Sequence, residues 1–249
     1  MKSIFITGAS SGLGRALAIA YAGEGVVLFL CGRNKERLYE TAAVCKEKGA
    51  VTYTYLFDVT DAFAVQEAVI NADSVHPLDL VIANAGISGG VLGEAEDSVQ
   101  TRQVFNTNIN GVVNTVLPAL ERMRKRGSGQ IGIVASIAGY RGLPSAPAYS
   151  AGKACVKAWG EALRGWLYQE GIRVNVICPG FIKTPLTDVN RFPMPFLMTP
   201  EKAALRIQKG LKKNKAVIAF PWPMAIAAWV MSALPCCLIH PILRRLPKK

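Results

Sequence analysis

The sequence predicts a single α/β domain, a doubly wound seven-stranded parallel sheet with a short apolar helical extension at its C-terminal end. Three observations lead there. Short apolar runs alternate with amphipathic stretches along the chain. The runs are almost continuously apolar, as strands covered on both faces must be. The length, 249 residues, suits one domain able to bury roughly three-quarters of its unfolded surface.

In chain order the strand-like runs are Ser3–Thr7, Val26–Cys31, Val51–Phe57, Leu80–Asn84, Gln130–Ala135, Arg173–Cys178 and Ala216–Phe220. Helix-like stretches separate them, so the connections should be right-handed crossovers. Gly127-Ser128-Gly129 reads as the loop before the fifth strand. Thr199-Pro200-Glu201 supplies an N-cap, a first-turn proline and a first-turn acid for a late helix. Ala204, Ile207 and Leu211 then share its inner face. Residues 1–220 form the domain on this reading, and 221–249 an apolar and basic extension.

Hydrophobic residues make up 51% of the chain and charged residues 18%, which excludes disordered and collagen-like classes. Six cysteines form neither a C-x-x-C pair nor a cysteine–histidine cluster, so no metal site is predicted. With no signal-peptide pattern at the start, the expected compartment is the reducing cytoplasm. The net charge of +12 is uneven: residues 201–249 hold 10 basic residues and one acid. Basic residues flanking an apolar run point to a membrane surface rather than to nucleic acid.

The first strand leads into Thr7-Gly8-Ala9-Ser10-Ser11-Gly12-Leu13-Gly14 and then an Ala/Leu-rich helix. Gly8 suits the tight turn, Gly12 lets backbone approach a pyrophosphate, and Gly14 lets helix and strand pack closely. The helix N-terminus would meet the anion. The second strand ends Leu30-Cys31-Gly32-Arg33-Asn34, without the acid that usually binds an NAD ribose. Arg33 instead suits a 2′-phosphate, which places NADP ahead of NAD.

Tyr149 and Lys153 stand four residues apart and share a face if helical. A nearby ammonium favours a phenolate, so the pair reads as a general acid/base for alcohol–carbonyl interconversion, with a lowered tyrosine pKa.

With these motifs, the chain from residue 1 to about 215 resembles the short-chain dehydrogenase/reductase family, whose domain is of Rossmann type. The resemblance adds Asp58 after the third strand, Asn84-Ala85-Gly86 after the fourth, Asn108 in N-x-x-G, Ser136 after the fifth, and Pro179-Gly180 with Thr184 after the sixth. It implies that Tyr149 gives the proton to a substrate carbonyl, beside Lys153 as pKa-lowering neighbour and ribose ligand. It gives Ser136 the substrate oxygen and Asn108 a relay water. Asn108 is preferred over Asn106 and Asn110 because Gly111 follows at the matching spacing. Asp58 would bind the adenine amino group beside Val59, Asn84 to Gly86 would pack along the cofactor, and Ile182 and Thr184 would meet the carboxamide. Ala83 departs from the family, many members having a second asparagine there. Family members commonly pair through the helices that here hold Asn108 and Tyr149, implying a homodimer or homotetramer.

Substrate contacts are expected from Ile137–Ala148, Phe181–Pro200 and the C-terminal tail. The second segment contains Phe192-Pro193-Met194-Pro195-Phe196-Leu197-Met198, with only Arg191 as a nearby base, which suggests an apolar carbonyl or alcohol. Two other readings compete with the oxidoreductase. One is a catalytically silent NADP-binding scaffold. The other is an extended-branch epimerase or dehydratase, for which 249 residues leave little room.

The 28 residues from Ala216 to Leu243 contain no Asp, Glu, Lys or Arg. Pro221, Pro223, Pro235 and Pro241 divide them too finely for a span. They read as two short apolar helices, Met224–Leu234 and Cys236–Leu246, with Trp222, Trp229 and terminal Arg244, Arg245, Lys248 and Lys249. That combination suggests peripheral contact of 222–249 with the cytoplasmic membrane face. A tail folded back on the domain, or buried between subunits, is the alternative.

Overall fold

The structure is a computed structural model that describes residues 2–88, 96–188, 190 and 192–243. Seven parallel strands form one sheet: β1 (Lys2–Thr7), β2 (Val26–Gly32), β3 (Val51–Leu56), β4 (Leu80–Ala83), β5 (Gly129–Val134), β6 (Ile172–Pro179) and β7 (Val217–Phe220). Their spatial order is β3-β2-β1-β4-β5-β6-β7. Each lies within a residue or two of its predicted run. β1 pairs with β2 from Lys2↔Val26 and with β4 from Ile4↔Leu80. The chain therefore winds outward in both directions from β1, and a crevice opens at the carboxyl ends of β1 and β4, where the order reverses.

The helices are α1 (Gly12–Tyr21), α2 (Lys35–Glu47), α3 (Ala62–Val75), α4 (Ser98–Phe105), α5 (Gly111–Arg126), α6 (Pro147–Trp166) and α7 (Pro200–Lys212). One apolar layer joins the sheet to α3, α5 and α6, around Phe5, Phe29, Met123 and Val176. The other joins it to α1, α2 and α7, around Leu17, Leu30, Ile82 and Ile207. Helix ends follow local chemistry. Asn34, Asp61 and Asp97 each accept a backbone N–H at the start of a helix. Thr199 caps α7 through the Lys202 N–H, with Pro200 in the first turn. Gly127 ends α5 in the left-handed region, at φ 67°.

The extension holds α8 (Trp222–Ala233) and α9 (Cys236–Leu243). α8 begins two residues before the predicted start, because Pro223 falls within the first turn, where a missing N–H costs nothing. Among the described helices none is long and apolar enough to cross a membrane. Both helices fold back on the domain. α8 packs on β7 and on the 3-10 turn Ile137–Tyr140. Ala228, Ile239 and Leu243 are buried. Arg191 and the terminal basic residues lie outside the described residues.

Candidate active site

A cleft of about 1050 Å³ runs along the carboxyl ends of the central strands. The β1–α1 loop forms its floor. Gly8 (φ 68°) and Gly12 (φ 50°) adopt backbone that side chains disfavour. A Cβ on Gly14 would overlap the Gly8 carbonyl oxygen, and one on Gly12 would sit 3.0 Å from the Thr184 methyl. Ser11 precedes α1 without a side-chain cap, which leaves the first-turn N–H groups for an anion. Ser10 and Leu13 line the cleft beside them. A dinucleotide pyrophosphate fits this bare backbone cradle.

Asn84 ties β4 to the same loop. Its Nδ2 donates to the Thr7 carbonyl at 2.9 Å, and its N–H donates to Thr7 Oγ1 at 3.0 Å. Ala85 and Gly86 continue along the cleft wall. Arg33 and Asp58, from the ends of β2 and β3, form an ion pair at 3.1 Å on the cleft margin. Burial works against the Asp58 charge, yet the N–H and hydroxyl of Thr60, with Arg33, hold its carboxyl below the ordinary value. The neighbouring Val59 carbonyl accepts from Asn114 Nδ2 at 2.9 Å, which anchors that turn to α5.

The catalytic candidates approach from three other elements. Ser136 follows β5 and caps the 3-10 turn, its Oγ accepting from the Ala138 N–H at 3.1 Å. Tyr149 and Lys153 lie on α6 and line the cleft. Lys153 is buried, and its Nζ donates to the Val134 carbonyl at 2.8 Å. Burial pulls its pKa down to about 8. Lys153 Nζ stands 5.8 Å from the centre of the Tyr149 ring. The expected lowering of the tyrosine is not what the fold produces. Burial raises the Tyr149 pKa, because the phenolate loses water, and the hydrogen bond with Ser136 offsets this only in part. The ammonium is committed to Val134 instead.

Asn108 is buried on the π-turn between α4 and α5. It does not line the cleft, whereas Thr107 does. Its side chain grips the Ile87 backbone, Oδ1 accepting from the N–H and Nδ2 donating to the carbonyl, each at 2.8 Å. This π-turn, Asn106–Asn110, points Asn108 inward. A Cβ on Gly86 would lie 3.1 Å from Asn108 Oδ1 and 3.3 Å from Lys153 Nζ. Asn108 and Lys153 thus face each other across Gly86.

Pro179, Gly180, Ile182 and Thr184 form the far wall, with Phe181, Phe192, Pro193 and Pro195 beyond them. Phe196 and Leu197 of the same segment face outward. The segments expected to meet a substrate contribute further lining residues. Met224, Ala227, Ala228 and Met231 of α8 also line the cleft. Arg141 lines the rim and Asn190 the interior. Asn190 Oδ1 is buried without a partner among the described residues.

The short chain dehydrogenase family matches residues 2–192. An uncharacterised oxidoreductase of Myxococcus xanthus (strain DK1622) is 38% identical over 246 residues, covering 98% of this chain and 97% of its own. A solved actinorhodin polyketide ketoreductase, a single-residue variant with NADPH, is 27% identical with a TM-score of 0.76, covering 88% of this chain and 94% of its own. A short chain dehydrogenase from Mycobacterium paratuberculosis bound to NAD is 25% identical with a TM-score of 0.77 and the same two coverages.

Proposed function

We propose that this chain, an oxidoreductase that belongs to the short-chain dehydrogenase/reductase family, interconverts an apolar carbonyl and its alcohol with NADP(H) as the preferred cofactor. The observation that carries the reading is the meeting of Ser136, Tyr149 and Lys153 with the glycine loop on one cleft.

Gly8 to Gly14 would hold the pyrophosphate, Arg33 the 2′-phosphate, Asp58 and Val59 the adenine, Asn84 to Gly86 the length of the cofactor, and Pro179 to Thr184 the carboxamide end. The bound nicotinamide supplies or accepts the hydride, which is chemistry the side chains lack. Ser136 orients the substrate oxygen. Tyr149, kept protonated at neutral pH by its raised pKa, gives that oxygen its proton during reduction. Lys153, held by Val134, sets the positive potential on which the resulting phenolate depends. Asn108 positions Ile87 and the Gly86 strip against which Lys153 is packed.

We assign the protein to the cytoplasm as a homodimer or homotetramer through α5 and α6, on which Leu117 and Trp166 are exposed. Its outer α8 face would rest on an anionic membrane leaflet. Support for that contact comes from exposed Trp222, Ile226 and Trp229 and, in the sequence, from the basic residues that follow at 244–249. NADPH fluorescence titration followed by a panel of apolar aldehydes and ketones tests the reading. Saturable NADPH binding with turnover of at least one ketone is the expected result. Binding without turnover of any member would point to a catalytically silent scaffold.

A further inference from the structure

Helix α8 is apolar all round, yet its two faces do different things. Met224, Ala227, Ala228 and Met231 recur at helical spacing and line the catalytic cleft. Met224 marks the reacting end: a Cβ on Gly180 would lie 3.3 Å from its Sδ. Met231 lies seven residues further on, about 10 Å along the axis at 1.5 Å per residue. Phe192 lines the same cleft, braced edge-on by Phe181 at 5.9 Å between ring centres.

The wall is pinned at both ends. It starts directly from β7. At its far end Arg141 Nη1 donates to the Leu234 carbonyl at 3.2 Å, and Nη2 approaches Cys236 Sγ at 3.1 Å. The rim guanidinium is thereby occupied with the helix rather than offered to a substrate anion. What remains is an elongated apolar strip that begins beside the nicotinamide-facing segment.

We propose that α8 is the specificity wall of the site, and that the substrate carries a long unbranched apolar chain on its reacting carbon, laid along Met224, Ala228 and Met231. This rests on the reading of the cleft as a carbonyl and alcohol site. A short ketone would fill only the reacting end. Each further methylene that lies on the strip leaves water and raises affinity by roughly threefold to fourfold.

The test is calorimetric binding of 2-pentanone and 2-dodecanone to the NADPH-loaded protein, with turnover measured separately. The expected ratio of affinities, dodecanone over pentanone, is at least about thirtyfold. Ala228→Phe, which fills the strip, should reduce that ratio at least about tenfold. Ala228 is buried, so the parallel variant Ala227→Phe, at an exposed position lining the same cleft, decides if the first does not fold. A ratio near one in the natural chain, or one unchanged in the variants, overturns the proposal. Long-chain binding without turnover would leave the wall standing and sink the redox reading. Turnover of both ketones at equal efficiency, with equal affinity, would do the reverse.

Discussion

Arg33 and Asp58 meet at 3.1 Å on the margin of the cleft, with their side chains 67% and 38% exposed. An ion pair so open to water stabilises the fold by under about 1 kcal/mol, so exchanging it for a better anion costs little. Bidentate guanidinium–phosphate contact is that better partner. Arg33→Ala should therefore weaken NADPH binding by about tenfold or more, the scale of one charged hydrogen bond, and leave NADH nearly unchanged. Fluorescence titration of both cofactors checks it. An equal loss for both would show that Arg33 does not read the 2′-phosphate.

Gly14→Ala should damage both fold and cofactor binding. The new Cβ would overlap the Gly8 carbonyl oxygen, so α1 and the loop must move apart. Overpacking of this kind costs about 1–3 kcal/mol. A drop of that size in urea unfolding, with NADPH affinity lost, is the expected outcome. Gly23→Ala, where nothing lies within 4 Å, is the control and should do neither.

Lys153 gives the protein a pH signature. Its pKa is about 8 in the fold against the ordinary 10.5. Between those values the unfolded chain binds more protons, so this group makes stability rise with pH over that window. Below about 8 both states are protonated and the full penalty of burying the ammonium remains. Compared with Lys153→Met, the natural chain should gain unfolding free energy as pH rises from about 8 to about 10. Parallel pH dependences of the two proteins would contradict the buried-ammonium account.

Trp222→Ser combined with Trp229→Ser removes two exposed rings from the outer α8 face while leaving its cleft-lining face intact. Binding to phosphatidylglycerol vesicles, measured by co-sedimentation, should fall more than tenfold, since each ring contributes roughly 1.5–3 kcal/mol when withdrawn from water. Retention of full binding by the double variant would rule out α8 as the contact.

The strands were legible because parallel strands buried on both faces leave uninterrupted apolar runs, and Leu80–Ala83 or Val217–Phe220 can be little else. The glycine loop and the Tyr149/Lys153 pair were legible because each imposes residue types at set spacing. α8 was legible as a helix, in a tail expected to reach the substrate, but not by which of its faces lines the cleft. A helix apolar on every side has no periodic signal to show which face turns inward, so Met224 and Met231 looked no different from Ile226 and Val230. Arg141 lies in the expected segment Ile137–Ala148, but its partners were hidden, being a backbone carbonyl and a thiol more than ninety residues away. The Tyr149 shift was misjudged because spacing reveals the nearby ammonium but not the burial around the ring.

The claim that Tyr149 supplies the proton is tested most directly by the turnover number of Tyr149→Phe with NADPH and a ketone found to react. Phe keeps the ring and removes only the hydroxyl that Ser136 engages. The account predicts a fall of about two to four orders of magnitude, the range for a lost general acid/base, while NADPH still binds. Near-normal turnover by a variant that still binds NADPH would contradict it.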